Sequence, residues 1–205
     1  MRDLSAAGLN VSRETLEKLE GYCVLLTKWN AKINLVAPST IPDLWPRHIV
    51  DSAQIFRYAP KSARLWVDLG SGGGLPAIVC AILAQEALPE CRFTLVESDK
   101  RKAAFLLSAA RELQLSLTVV SDRAETLAPQ QADIVSARAL APLPQLLAWV
   151  ARHLAENGVA LLPKGKNYAT ELAAARAEWQ FEDTVFESQT DPLARLLILK
   201  GISRG

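Results

Sequence analysis

Nine residues in this chain carry an unusual density of chemical meaning: Asp68-Leu69-Gly70-Ser71-Gly72-Gly73-Gly74-Leu75-Pro76. Four glycines in five positions permit positive φ and let the backbone approach a ligand closely. The apolar run Leu65-Trp66-Val67-Asp68-Leu69 before them predicts a buried strand, and the run Leu75 to Ala84 after them predicts a helix with Pro76 in its first turn. Strand, glycine turn and helix form a nucleotide-type binding corner at the carboxyl end of a parallel strand. A dinucleotide fingerprint fails, because its third glycine position is Leu75 counted from Gly70 and Ala77 counted from Gly72. A phosphate loop fails as well, since no lysine lies between Arg64 and Lys100. Asp68 beside the turn disfavours a pyrophosphate and suits a positively charged ligand. S-adenosylmethionine, with an ammonium, a sulfonium, a ribose and an adenine, has that character.

Further groups converge on the same rim. Glu97 ends a predicted strand where a carboxylate accepts both hydroxyls of a ribose. Asp122-Arg123-Ala124-Glu125 follows the next strand, where a backbone amide and a side chain can read an adenine edge; Glu125 serves equally as a helix cap. Ser136-Ala137-Arg138-Ala139 puts an arginine at the carboxyl end of a central strand, inside the expected cleft. Pro163-Lys164-Gly165-Lys166 adds two cations and a flexible glycine. Upstream, Arg47, His48 and Asp51 fall on neighbouring helix faces at three- and four-residue spacing.

These residues need a scaffold, and the pattern supplies one. Residues 12–30 predict a helix capped by Ser12, with Leu16, Leu19, Cys23 and Leu26 on its core face. A second helix is expected from Ile41 through Tyr58, with Pro60-Lys61-Ser62 as a linker. From Leu65 strands and helices alternate, which argues for a parallel sheet with helices on both faces. Strands are expected at Leu65–Leu69, Arg92–Glu97, Leu117–Ser121, Ala132–Ser136, Val159–Leu162, Thr184–Glu187 and Arg195–Lys200, the last two as a hairpin. Helices are expected from Lys100, over Leu143–Leu154 and over Ala169–Glu178, with Asn157-Gly158 ending the second of these. The fold class is therefore α/β, with an N-terminal helical extension (1–62) before the sheet domain (63–205).

Composition narrows the class. Half of the 205 residues are hydrophobic, enough for a sizeable core. Apolar runs of about ten residues are too short to span a bilayer, and no signal-peptide pattern follows Met1. Cys23, Cys80 and Cys91 lack paired spacing and read as reduced thiols of a cytoplasmic protein. Two histidines and no Cys-x-x-Cys give no metal site. Net charge is only +1, but Lys28 to Arg64 holds six basic residues against two acidic ones, beside Trp29 and Trp45. That surface is compatible with RNA, and equally with an ordinary solvated face. No obligate interface is evident, so a monomer is expected.

The chain resembles the RsmG (GidB) family of bacterial small-subunit ribosomal RNA methyltransferases along nearly its whole length. The resemblance is carried by Lys28-Trp29-Asn30 with Asn34-Leu35, by Arg47-His48-Ile49-Val50-Asp51-Ser52, by Asp68 through Pro76, by Ser98 with Lys100-Arg101 and Phe105-Leu106, by Ser136-Ala137-Arg138-Ala139, and by Lys164-Gly165. Ala77 departs from the family's usual glycine and Glu97 from its frequent aspartate. The resemblance implies a class I S-adenosylmethionine-dependent methyltransferase fold, seven-stranded with the last strands antiparallel. It implies methyl transfer to N7 of one guanine in 16S ribosomal RNA, with the RNA or the small subunit as partner. Cofactor positions carry over to Gly70, Leu75, Ala124, Glu125 and Arg138, joined by Glu97 from the strand argument and by Asp68 and Gly72 from the glycine turn. Arg138 and an Arg47–Asp51 pair are expected to shape the guanine pocket. Lys28, Lys32, Arg47, His48, Lys164 and Lys166 are expected to face RNA, with a purely structural role open for His48. The competing readings are a methyltransferase for another RNA or a small molecule, a dinucleotide oxidoreductase, and a non-catalytic RNA-binding factor.

Overall fold

The computed structural model describes residues 3–205. Seven strands form one sheet: β1 (Leu65–Leu69), β2 (Arg92–Val96), β3 (Leu117–Val120), β4 (Ala132–Ser136), β5 (Leu154–Lys164), β6 (Trp179–Glu187) and β7 (Arg195–Arg204). Their order is β3-β2-β1-β4-β5-β7-β6. The first five pair in parallel, and β7 runs antiparallel to both β5 and β6. The order reverses at β1 and β4, so a crevice opens beyond their carboxyl ends.

Side-chain alternation splits the core into two layers. Trp66, Ile134, Leu161 and Leu196 face one side, and Val67, Val135, Leu162 and Leu197 the other. The first side carries α1 (Arg13–Asn30), α2 (Asp51–Phe56), α3 (Ala77–Ala87) and α4 (Lys100–Glu112); the second carries α5 (Leu143–His153) and α6 (Tyr168–Arg176). From Ala77 through Ala84 helix α3 is apolar on every face and buried. A helix of that kind requires cover on both sides: the sheet covers one, and α1 and α2 cover the other. Trp66 fixes this layer by stacking between Phe56 and Phe93, at centroid distances of 6.3 and 5.3 Å.

Several boundaries differ from expectation. Helix α3 begins at Ala77 rather than Leu75, with Pro76 at its N-cap. The expected long helix from Ile41 is instead a six-residue π-helical turn, Trp45–Val50, leading into the short α2. Strand β5 starts at Leu154, directly after α5, so Asn157-Gly158 lies within the strand instead of ending a helix. At Gly158 an added Cβ would stand 2.7 Å from the Ala132 carbonyl oxygen, so glycine there answers to close strand approach. Strands β6 and β7 are longer than expected, and β6 begins at Trp179. Among the described residues, no helix is long and apolar enough to cross a membrane.

Candidate active site

The glycine turn is built as its sequence demands. Gly70, Gly72 and Gly74 have φ of 65°, 53° and 81°, values that side chains rarely adopt. A Cβ at Gly70 would collide with Leu140, and one at Gly74 with Ile78. At Gly72 the nearest atom would be the Gly70 carbonyl oxygen, 3.8 Å away. Gly72 is thus the open face of the turn, where a ligand can come against bare backbone. From behind, the buried Tyr22 hydroxyl of α1 donates to the Gly73 carbonyl; burial pushes its phenol well above the ordinary range, so it remains a donor. Asn30 Oδ1 accepts from the amides of Leu35 and Val36 at 2.9 Å, folding the segment that lies against Gly73.

Two carboxylates flank the turn. Glu97, just past β2 and 7% exposed, accepts from the Gly72 amide at 2.8 Å and the Asp99 amide at 2.7 Å. Each oxygen holds one donor and keeps a further lone pair, so the carboxylate retains capacity for two hydroxyls. Asp68 is 1% exposed. Its Oδ1 accepts from Ser136 Oγ at 2.5 Å, and Ser136 in turn accepts from the Trp66 indole at 2.8 Å. Its Oδ2 is buried with no partner. Burial pushes the Asp68 carboxyl up to about 6, against the opposing pull of the Ser136 and Ser71 hydroxyls. An orphaned carboxylate oxygen beside an open glycine turn asks for a donor-bearing, cationic ligand, and S-adenosylmethionine fits that demand where a pyrophosphate does not. Leu75 is buried beside the turn.

The turn after β3 presents Ala124 and Glu125. Ala124 is buried and Glu125 is exposed, 3.5 Å from Arg123 Nη1. The Ala124 carbonyl accepts at 2.7 Å from Nε2 of His153, a fully buried side chain on α5. Burial lowers the His153 pKa, so the ring is neutral and donates as an ordinary N–H. The sequence reading gave His153 no role; nothing in its surroundings along the chain announces a partner 29 residues away.

Across the crevice, Arg138 is the centre of the second half of the site. Its guanidinium meets Asp51 Oδ2 at 3.1 Å and His48 Nδ1 at 2.9 Å. A guanidinium only donates, so His48 Nδ1 accepts and its Nε2–H donates to Thr40 Oγ1 at 2.8 Å. Burial and the adjacent Arg138 push the His48 pKa down to about 4, which keeps that tautomer neutral. The π-helical turn thus carries His48 inward toward Arg138 and leaves Arg47 exposed. The expected Arg47–Asp51 pairing is replaced by Arg138–Asp51. Two cavities meet here, of about 450 and 640 Å³, sharing Asp51, Arg138, Ala139, Gly165 and Ala194 in their walls. Ala139 has a φ of 53°, and Leu140 packs where a side chain on Gly70 would sit. The floor of this pocket therefore rests directly on the glycine turn.

The expected RNA-facing cations divide. Lys28, Lys32, Arg47 and Lys166 are exposed. Lys164 is not available in the same way: its side chain is 9% exposed, and its ammonium donates to the Ala141 carbonyl at 2.9 Å and to Glu171 at 2.8 Å. Glu171 also accepts from the Leu143 amide, so Lys164 braces the β4–α5 connection from within. Among the described residues, no group of three or more His, Cys, Asp or Glu side chains is placed to hold a metal.

Comparison with known proteins agrees with this architecture. The GidB family model, described as rRNA small subunit methyltransferase G, matches residues 15–194. A relative named ribosomal RNA small subunit methyltransferase G from Cereibacter sphaeroides is 56% identical over 97% of this chain and 95% of its own length. Another of that name, from Ruegeria, is 53% identical over 96% of this chain and 95% of its own. Among solved structures, a T. thermophilus 16S rRNA methyltransferase (RsmC) in complex with AdoMet and guanosine shares the fold with a TM-score of 0.56, at 15% identity over 74% of this chain and 38% of that one. A Geobacter metallireducens precorrin-6y methyltransferase does so with 0.51, at 15% identity over 73% and 86%. From family model and near-full-length identity together, the chain belongs to the rRNA small subunit methyltransferase G (GidB) family.

Proposed function

We propose that this protein transfers a methyl group from S-adenosylmethionine to N7 of one guanine in 16S ribosomal RNA. The observation that carries this reading is the pocket around Arg138, whose Ala139–Leu140 floor rests on the glycine turn. That contact brings the donor and acceptor sites to one crevice, and a direct transfer requires them to adjoin.

Asp68, Gly70, Gly72, Leu75, Glu97, Ala124 and Glu125 would hold the cofactor, which when bound supplies an electrophilic methyl group on sulfonium; Arg138, which the family resemblance also places on the cofactor, bonds Asp51 and His48 instead and is assigned in this reading to the base. The chain's own work is alignment. Guanine N7 has a free lone pair and no proton to lose, so no general base is needed. Beside Arg138, His48 is neutral with both ring nitrogens bonded, and Asp51 is bonded to Arg138. Arg138 has N–H groups beyond those bonded to Asp51 and His48 and can hold an acceptor edge of the base. As the base gains positive charge, the Asp51 carboxylate lies close enough to the pocket to offset it. Arg47, Lys28, Lys32 and Lys166, all exposed, would meet phosphates. In this reading residues 1–62 face the RNA, residues 63–205 hold the cofactor, the protein acts as a monomer in the cytoplasm, and the RNA is met free or within the small subunit.

Arg138→Ala, assayed with labelled S-adenosylmethionine on small subunits from cells lacking the protein, should reduce methylation about 100-fold or more. Affinity for S-adenosylhomocysteine should stay within about threefold. Methylation near the normal rate would remove Arg138 from the site. Mapping N7-methylguanosine in ribosomal RNA from cells lacking and then regaining the protein tests the base and the atom.

A further inference from the structure

We infer that Thr190 is a positioning residue for methyl transfer: acting through Asp51, it aims the guanidinium of Arg138 and seats the β6–β7 connection as a wall of the acceptor pocket. The inference rests on the reading of that pocket given above. Asp51 divides its oxygens. Oδ2 takes Arg138. Oδ1 takes Thr190 Oγ1 at 2.9 Å and Gln54 Nε2 at 2.9 Å, with Ser188 Oγ at 3.5 Å. Gln54, itself buried, gives its second amide hydrogen to Ser188 Oγ at 3.1 Å and accepts from the Gln189 amide at 2.9 Å. Helix α2 therefore reads three consecutive residues of a connection more than 130 residues away.

A carboxylate held at one oxygen only can turn about its side-chain torsions. Neutral donors on Oδ1 stop that rotation and leave Oδ2 set toward Arg138. Both cavities use this connection as a wall: Ser188 and Ala194 in one, Thr190, Asp191 and Pro192 in the other. The Thr190 hydroxyl shares Oδ1 with Gln54, and it is the one of these two donors that ties the aim of Arg138 directly to the wall of the pocket. Its work is on the acceptor side and leaves the glycine turn untouched.

Thr190→Val keeps the shape and removes the hydroxyl; Thr190→Ser keeps the hydroxyl. On small subunits from cells lacking the protein, Thr190→Val should lower kcat about 5- to 20-fold. KM for the subunits and affinity for S-adenosylhomocysteine should stay within about twofold. Thr190→Ser should recover the wild-type kcat to within about twofold. Adding Thr190→Val to Asp51→Asn should cause no further loss, since the hydroxyl then has no carboxylate to aim. Wild-type turnover by Thr190→Val, equal impairment of Thr190→Ser, parallel loss of cofactor affinity, or an additive double variant would each overturn the inference. Arg138→Ala in the same assay separates the two readings: full activity there removes the pocket itself. An inactive Arg138→Ala beside a normal Thr190→Val removes only the role of Thr190.

Discussion

Asp68 is held in the native chain at a price in stability that its neighbours only partly offset. Its carboxyl titrates near 6 when folded, because of burial, and near 3.8 otherwise. Between those values the native state binds the proton and the unfolded chain does not. Stability is therefore gained as pH falls through about 6 and lost as pH rises through it. Asp68→Asn should stabilise the protein at pH 8 by on the order of 2 kcal/mol, seen as a higher thermal midpoint. The advantage should vanish near pH 4, and cofactor affinity should fall at pH 8 and by progressively less below about pH 6, where Asp68 itself becomes neutral; calorimetry and titration with S-adenosylhomocysteine read both. His48 shows the opposite sign. Its folded pKa is depressed to about 4 from 6.5, so acidification from 6.5 toward 4 protonates the unfolded chain first and costs stability. Protonated His48 has no acceptor left for Arg138. Methyl transfer should therefore fall steeply below about pH 5, and in His48→Ala that acid limb should be lost along with most activity, as a pH–rate profile will show. Both residue types were visible in the sequence. Their states were not, because they depend on burial and on Ser136 and Arg138, which the fold brings alongside.

At the scale of elements, the glycine turn was legible because its conformation is local: three positive φ angles require glycine whatever the fold does. The strands were found for a similar reason, their apolar runs being bounded by turns. The misread places are those where distant chain decides. Asn157-Gly158 has the look of a helix end, yet Gly158 is there to let β5 approach the Ala132 carbonyl. Gly158→Ala should cost about 2–3 kcal/mol, seen as a lower denaturant midpoint. Its kcat at 25 °C should be unchanged, since the contact lies at the end of β4 away from the crevice. The π-helical turn at Trp45–Val50 was not visible either. An ordinary α-helical spacing pairs Arg47 with Asp51; the wider winding comes with Asp51 facing Arg138 instead.

At the scale of the whole molecule, the extension and the sheet domain share one apolar layer. Leu19, Tyr22 and Leu26 of α1 belong to the same cluster as Ile78 of α3 and Phe105 of α4, and Tyr22 reaches the backbone of the glycine turn. Tyr22→Phe should destabilise the protein by about 1–2 kcal/mol and weaken S-adenosylhomocysteine binding, measured by thermal shift with and without that ligand. A chain reduced to residues 63–205 should bare the outer face of α3 and aggregate. The layered α/β class, the seven strands and their hairpin end were readable from alternation of pattern alone. The interlock of the extension with α3 was not, since an all-apolar helix does not say what will cover it.

Asp51 collects its donors from residues 54, 138, 188 and 190, and that has a consequence for biosynthesis. As the polypeptide emerges, the donor crevice can close once β4 is out, while the base pocket must wait for the segment leading into β7. A half-made copy would grip the sulfonium yet lack the means to present a nucleobase to it. Competence to modify RNA arrives with residues 188–196, after most of the architecture is already standing.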